Sequence, residues 1–87
     1  MKPIWIVDDD QSIRFVLEKA LMREGLPTRS FTHPREVVQA LNNLTAEDSP
    51  QVLVSDIRMP GGSGLDLLAQ VKERMPGLPV ILSLIHI

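Results

Sequence analysis

Ile4-Trp5-Ile6-Val7-Asp8-Asp9-Asp10 decides how the rest of the chain is read: four apolar residues in a row, then three carboxylates. A short apolar run without alternation is the pattern of a strand covered on both faces, the condition of a parallel sheet lying between helix layers. Helical periodicity follows at once. Ile13, Val16, Leu17, Ala20 and Leu21 recur at i, i+3, i+4, i+7 and i+8, one stripe of a helix from about Gln11 to Glu24. Gly25 is placed to end that helix as its C′ residue.

Outward from this unit the alternation repeats. Thr28 to Phe31 is a short strand, polar at alternate positions, which suits the edge of a sheet. Thr32 is the expected N-cap of a second helix, with Pro34 in its first turn and Val37, Val38 and Leu41 on its inner side. Asn42 to Gln51 is a polar connection with Pro50 at its exit. Val52-Leu53-Val54 is a third strand, uniformly apolar and running into Ser55-Asp56. Pro60-Gly61-Gly62-Ser63-Gly64 is a loop by composition. Leu65, Leu68, Ala69 and Val71 predict the inner face of a third helix ending near Met75. Pro76-Gly77-Leu78-Pro79 then stops it, and a fourth strand begins at Val80. The pattern is βαβαβαβ, an α/β chain built on a parallel sheet with helices on both faces.

Composition narrows the function classes. The 87 residues are 44% hydrophobic and 23% charged, with net charge -2 and no cysteine. That is the make-up of one small globular unit, which excludes a multidomain enzyme, a disulfide scaffold and a cysteine-ligated zinc site within these residues. No apolar run approaches the roughly 18 residues of a membrane span, and no signal-peptide core opens the chain. Basic residues are scattered, so the expected partners of this chain include neither nucleic acid nor membrane, and the expected location is cytoplasmic.

The carboxylates carry the chemistry. In open α/β sheets ligands bind outside the carboxyl ends of the strands, where strand order reverses. Asp8, Asp9 and Asp10 follow the first strand and Asp56 ends the third, so if those strands are neighbours the acids converge on one rim. Like charges at close range are costly without a cation. Oxygen ligands with no His or Cys among them suit Mg²⁺. Each residue also has a structural reading, Asp10 as a helix N-cap and Asp56 as a turn residue. A purely structural account needs two coincidences at the same rim.

Ile6-Val7-Asp8-Asp9-Asp10, Ser12-Ile13-Arg14, and Ser55-Asp56-Ile57-Arg58-Met59-Pro60-Gly61 with Gly64-Leu65 resemble a response-regulator receiver domain of two-component signalling. Trp5, the triple Asp and Val16-Leu17-Glu18-Lys19-Ala20-Leu21 are most similar to the nitrogen-regulation subgroup of sigma-54-dependent activators. The resemblance implies a flavodoxin-like (CheY-like) doubly wound parallel sheet. It implies that Asp56 accepts a phosphoryl group from a sensor histidine kinase. It also implies Mg²⁺ held by Asp9 directly, by Asp8 through water, by Asp56 and by the backbone carbonyl of Arg58. Met59, Pro60, Gly61 and Gly64 would shape the loop after Asp56. Such a domain is not a conventional enzyme, it has a second receiver as a potential dimer partner, and the parent protein would regulate nitrogen-related transcription.

The chain departs from this pattern at its end. The resemblance runs from about Lys2 to Val80 or Ile81 and covers only part of a receiver, so 1–87 is expected to be an incomplete domain, truncated after the fourth strand. Counted from Asp56, the family's switch hydroxyl falls on Leu84, with Ser83 one residue early, and the choice between them stays open. The family's Lys has no counterpart; Lys2, Lys19 and Lys72 read as surface charges. Residues 82–87 read as an atypical tail from a truncated or misassembled reading frame. The expected consequences are exposure of Val16 or Leu17 on the first helix and an open apolar edge at the fourth strand, hence a marginal or aggregating unit.

Two rival functions can be weighed on the same residues. A haloacid-dehalogenase-type phosphotransferase also uses an Asp after a strand, but it needs a second Asp two positions on, where Arg58 stands here. A non-switching module that binds a kinase or another receiver needs only the surface. His33 and His86 lack a second His at ligand spacing, and Met59 and Met75 suit packing. Arg14 and Arg58, near the acidic rim, are expected either to attract phosphate or to form surface ion pairs.

Overall fold

A computed structural model describes residues 2–45, 48–56 and 64–83, with the backbone alone for Asp56, Gly64, Leu65 and Ser83. The elements are β1 (Ile4–Val7), α1 (Gln11–Arg23), β2 (Thr28–Phe31), α2 (Pro34–Asn42), β3 (Val52–Asp56), α3 (Gly64–Arg74) and β4 (Val80–Ser83). The four strands form one sheet in the order β2-β1-β3-β4, with every pairing parallel. The chain goes from β1 to one side for β2, then crosses to the other side for β3. Strand order therefore reverses between β1 and β3, the switch point where such sheets take ligands.

Alternation along β1 divides its side chains between two layers. Trp5 and Val7 join Leu53, Phe31, Val37, Leu41, Leu67, Val71 and Leu78 in the main core, on the side of α2 and α3. Trp5 is fully enclosed and meets the Phe31 ring edge-on, with centroids 5.1 Å apart. Ile4 and Ile6 belong to the opposite face, where α1 packs against β1 and β2. Register sets Ile6 beside Val54 and Val54 beside Ile81. Exposure climbs along that row, from 1% at Ile6 through half-buried Val54 to 55% at Ile81, as the sheet runs out from under α1.

Helix α1 itself buries no residue fully. Ile13, Leu17 and Leu21 are half-buried at i, i+4 and i+8, whereas Phe15 and Val16 are exposed, as is Ala20. Among the described residues β4 is the outermost strand on its side of the sheet, and Ile81 and Leu82 are exposed there. The helix ends as Gly25 predicted. Gly25 has φ +73° and donates to the Met22 carbonyl, while Leu26 donates to Leu21, the paired hydrogen bonds of a Schellman motif.

Two local expectations need correction. The N-cap of α2 is His33, not Thr32: His33 Nδ1 accepts from the Arg35 N–H at 3.0 Å. Thr32 sits one residue earlier and gives both its N–H and its hydroxyl to Glu36 Oε1, which reaches back from the first turn. On α3 the inward stripe is Leu67, Val71 and Met75 at four-residue steps, with Leu68 half-buried beside it and Ala69 exposed. Val71 can share a face with Leu67 but not with Ala69, because residues two apart on a helix point in different directions.

Candidate functional site

The end of β1 is shaped by its own aspartates. Asp8 continues the strand by one hydrogen bond, its N–H donating to the Phe31 carbonyl at 3.1 Å. Its carboxylate Oδ1 then accepts from the Asp10 N–H at 2.8 Å, an Asx-turn that swings the chain off the sheet. Asp10 in turn caps α1, its Oδ1 accepting from the N–H groups of Ser12 at 2.8 Å and Ile13 at 3.3 Å. Two of the three acids therefore build the strand-to-helix turn. Asp8 is buried, with 3% exposure, and Asp9 between them is exposed.

The end of β3 lies alongside. Val7 pairs with Ser55, so Asp8 and Asp56 follow as the next residues of neighbouring strands, whose backbones run about 4.8 Å apart. The convergence of the first and third strand ends is therefore real at the level of the backbone. On its other side Asp56 pairs with Ser83 of β4, which puts Ser83 rather than Leu84 opposite it in register. Arg58, Met59, Pro60, Gly61 and Leu84 lie outside the described residues, as do the side chains of Asp56 and Ser83; the Gly64 backbone opens α3. Among the described residues no three His, Cys, Asp or Glu side chains group as a metal cluster. A cation here needs Asp56 beside Asp8 and Asp9, an all-oxygen set that fits a hard ion such as Mg²⁺.

Arg14, expected near the acidic rim, is found there bonded to the main chain. Its Nη1 donates to the main-chain carbonyl of Asp8 at 2.5 Å. A signal for this was present in the sequence: helical side chains lean toward the N-terminus, so an Arg in the first turn of α1 reaches back over the turn before it. Lys2, Lys19 and Lys72 are exposed, as surface charges should be. Among the described residues no helix is long and apolar enough to cross a membrane.

A parallel sheet reversing at β1 and β3, with paired acids on that rim, defines a class, and comparison with known proteins agrees with it. The response regulator receiver domain model matches residues 4–86, and the chain belongs to that family. It is 53% identical over 83 residues to the DNA-binding transcriptional regulator NtrC of Escherichia coli, which covers 95% of this chain and 17% of that protein. The chain thus spans about a sixth of the length of the curated relatives it matches. The solved apo receiver domain of nitrogen regulatory protein C superposes with TM-score 0.78 at 54% identity, over 92% of this chain and 61% of that one. The response regulator TrrA of Thermotoga maritima, solved with Mg²⁺-BeF, gives TM-score 0.84 at 28% identity, over 94% of this chain and 68% of that one. TrrA has also been solved in complex with the histidine kinase ThkA.

Proposed function

We propose that this receiver domain takes a phosphoryl group onto Asp56 from the phosphohistidine of a sensor kinase. The observation that carries the reading is the β1–β3 pairing, which brings Asp8, Asp9 and Asp56 to adjacent strand ends at the switch point. A carboxylate oxygen of Asp56 attacks phosphorus, the P–N bond breaks, and the imidazole leaves with the bonding pair and takes up a proton. Asp9 would hold Mg²⁺ directly, Asp8 through water, with Asp56 and the Arg58 carbonyl completing the protein ligands. Bound there, the ion supplies positive charge to the oxygens of the transferring group. The domain's own residues do the rest. The Asx-turn holds the Asp8 carboxylate, and the cap at Asp10 keeps Asp9 at the rim.

A kinase partner is supported by TrrA, a structural relative solved with its histidine kinase, and Mg²⁺ by the same protein's Mg²⁺-BeF complex. Similarity to NtrC supports control of sigma-54-dependent, nitrogen-related transcription by a longer parent protein, in the cytoplasm. The domain would not be a conventional enzyme, since it carries its own phosphoryl group and turns over no separate substrate. Ser83, whose backbone pairs with Asp56 in register, would supply the hydroxyl that reads the phosphorylated state.

The test is incubation with acetyl phosphate and Mg²⁺, followed by intact-mass measurement. The chain should gain one phosphoryl group, lost with EDTA and absent in Asp56→Asn. Kinase binding without any modification would favour a non-switching interaction module, and turnover of small phosphate esters a dehalogenase-type enzyme.

A further inference from the structure

Resting on the phosphoryl-site reading above, we propose that Arg14 is a positioning residue for the metal-binding aspartates, acting through the main chain of Asp8. Asp8 is held at three points: its N–H on the Phe31 carbonyl, its carboxylate under the Asp10 N–H, and its carbonyl under Arg14 Nη1. The third bond has a specific cause. β1 ends at Val7, so the Asp8 carbonyl has passed beyond the regular ladder while its residue remains buried. A buried carbonyl without a donor is costly, and the half-buried Arg14 guanidinium supplies a charge-assisted one. This bond fixes the peptide that joins Asp8 to Asp9, and with it the direction in which Asp9 leaves the strand. Arg14 also begins at the cap, its N–H donating to the Asp10 carbonyl at 3.1 Å. One residue therefore braces the turn from both the helix and the strand side.

The positioning role and a purely electrostatic one have opposite signs. A cation beside two carboxylates opposes Mg²⁺, so removing a mere charge tightens metal binding. Removing a brace loosens it, as loss of an outer contact to a metal ligand does. The wild-type chain, Arg14→Ala and Arg14→Lys are titrated with Mg²⁺ alone by calorimetry, and the Asp10 amide is followed by NMR without metal. Arg14→Ala should bind Mg²⁺ about 10-fold more weakly, with its Asp10 amide shifted and exchanging faster. Arg14→Lys, which keeps a charged donor, should stay close to wild type. Equal or tighter binding by Arg14→Ala with an unmoved Asp10 amide overturns the proposal. If Arg14→Ala does not fold, Arg14→Met against Arg14→Lys carries the same contrast, since Met keeps the apolar stem without the donor; equal affinities overturn it. If the wild type takes no Mg²⁺, the phosphoryl-site reading fails, while the Asp10 amide still decides whether Arg14 braces the turn.

Discussion

Val7 lies opposite Ser55 across the β1–β3 ladder, and from that one pairing the site follows. The residues after each, Asp8 and Asp56, leave neighbouring strands together. A register one residue different would reverse which face each β3 side chain meets, so the buried pair Trp5–Leu53 on the core face holds the alignment of the rim.

The three consecutive aspartates should separate by role. Asp10 acts as an N-cap, where Asn serves almost as well as Asp, so Asp10→Asn should leave stability within about 0.5 kcal/mol of wild type and Mg²⁺ binding nearly intact. Asp9→Asn removes a proposed ligand and should lower Mg²⁺ affinity at least about 10-fold. Parallel Mg²⁺ titrations and urea melts of the two variants check both halves.

Leu67, 1% exposed, joins Val71 in fixing α3 to the core, on a face that hydrophobic spacing assigns to Leu68 and Ala69. Leu67→Ala should cost about 3 kcal/mol, a large share of the stability of a domain this small. Ala69→Ser, on the exposed side of the same helix, should cost under about 0.5 kcal/mol. The midpoints of urea unfolding measure the difference.

Glu36 links stability to pH. The Thr32 hydroxyl holds its carboxyl below the usual glutamate range; burial opposes it, and the Thr32 and His33 N–H groups add smaller lowering contributions. A carboxyl whose folded value is lowered contributes stability above its unfolded value, and that contribution is lost as pH falls through the lowered folded value. Glu36→Gln should therefore flatten the acid limb by lowering stability slightly at neutral pH while leaving it unchanged at acid pH, and the effect is small because the site is exposed and screened. Thermal melts from neutral to acid pH test this.

Ile81 projects from an edge strand with 55% exposure, at the end of a row that begins with buried Ile6. Such an edge templates pairing between molecules, and charge blunts it. Ile81→Lys should reduce concentration-dependent association in sedimentation velocity with less than about 0.5 kcal/mol change in stability.

Strand and helix content, element order and the two acidic strand ends were legible in the sequence because each is local. Uninterrupted apolar runs mark strands covered on both faces, the Ile13–Leu21 spacing marks a helix, and Gly25 marks its end. Asp10 as a cap was equally legible, since a capping side chain bonds groups two and three residues away. His33 takes the cap in place of Thr32 through an equally local bond, but histidine is not among the favoured capping residues, so the sequence pointed to Thr32. Leu67 taking the inner face of α3 depended on how that helix sits against the sheet.

What the sequence determined by itself is therefore the list of parts: four strands, three helices, and acids at the ends of the first and third strands. Tertiary structure alone decided that β1 and β3 are neighbours, that Ser83 rather than Leu84 stands opposite Asp56, and that Arg14 closes over the Asp8 carbonyl. These are relations between segments far apart in the chain or between a side chain and a distant backbone group. Hydrophobic periodicity reports which face of an element is buried, but it is silent on which element covers it and in what register, and the site is built from those two facts.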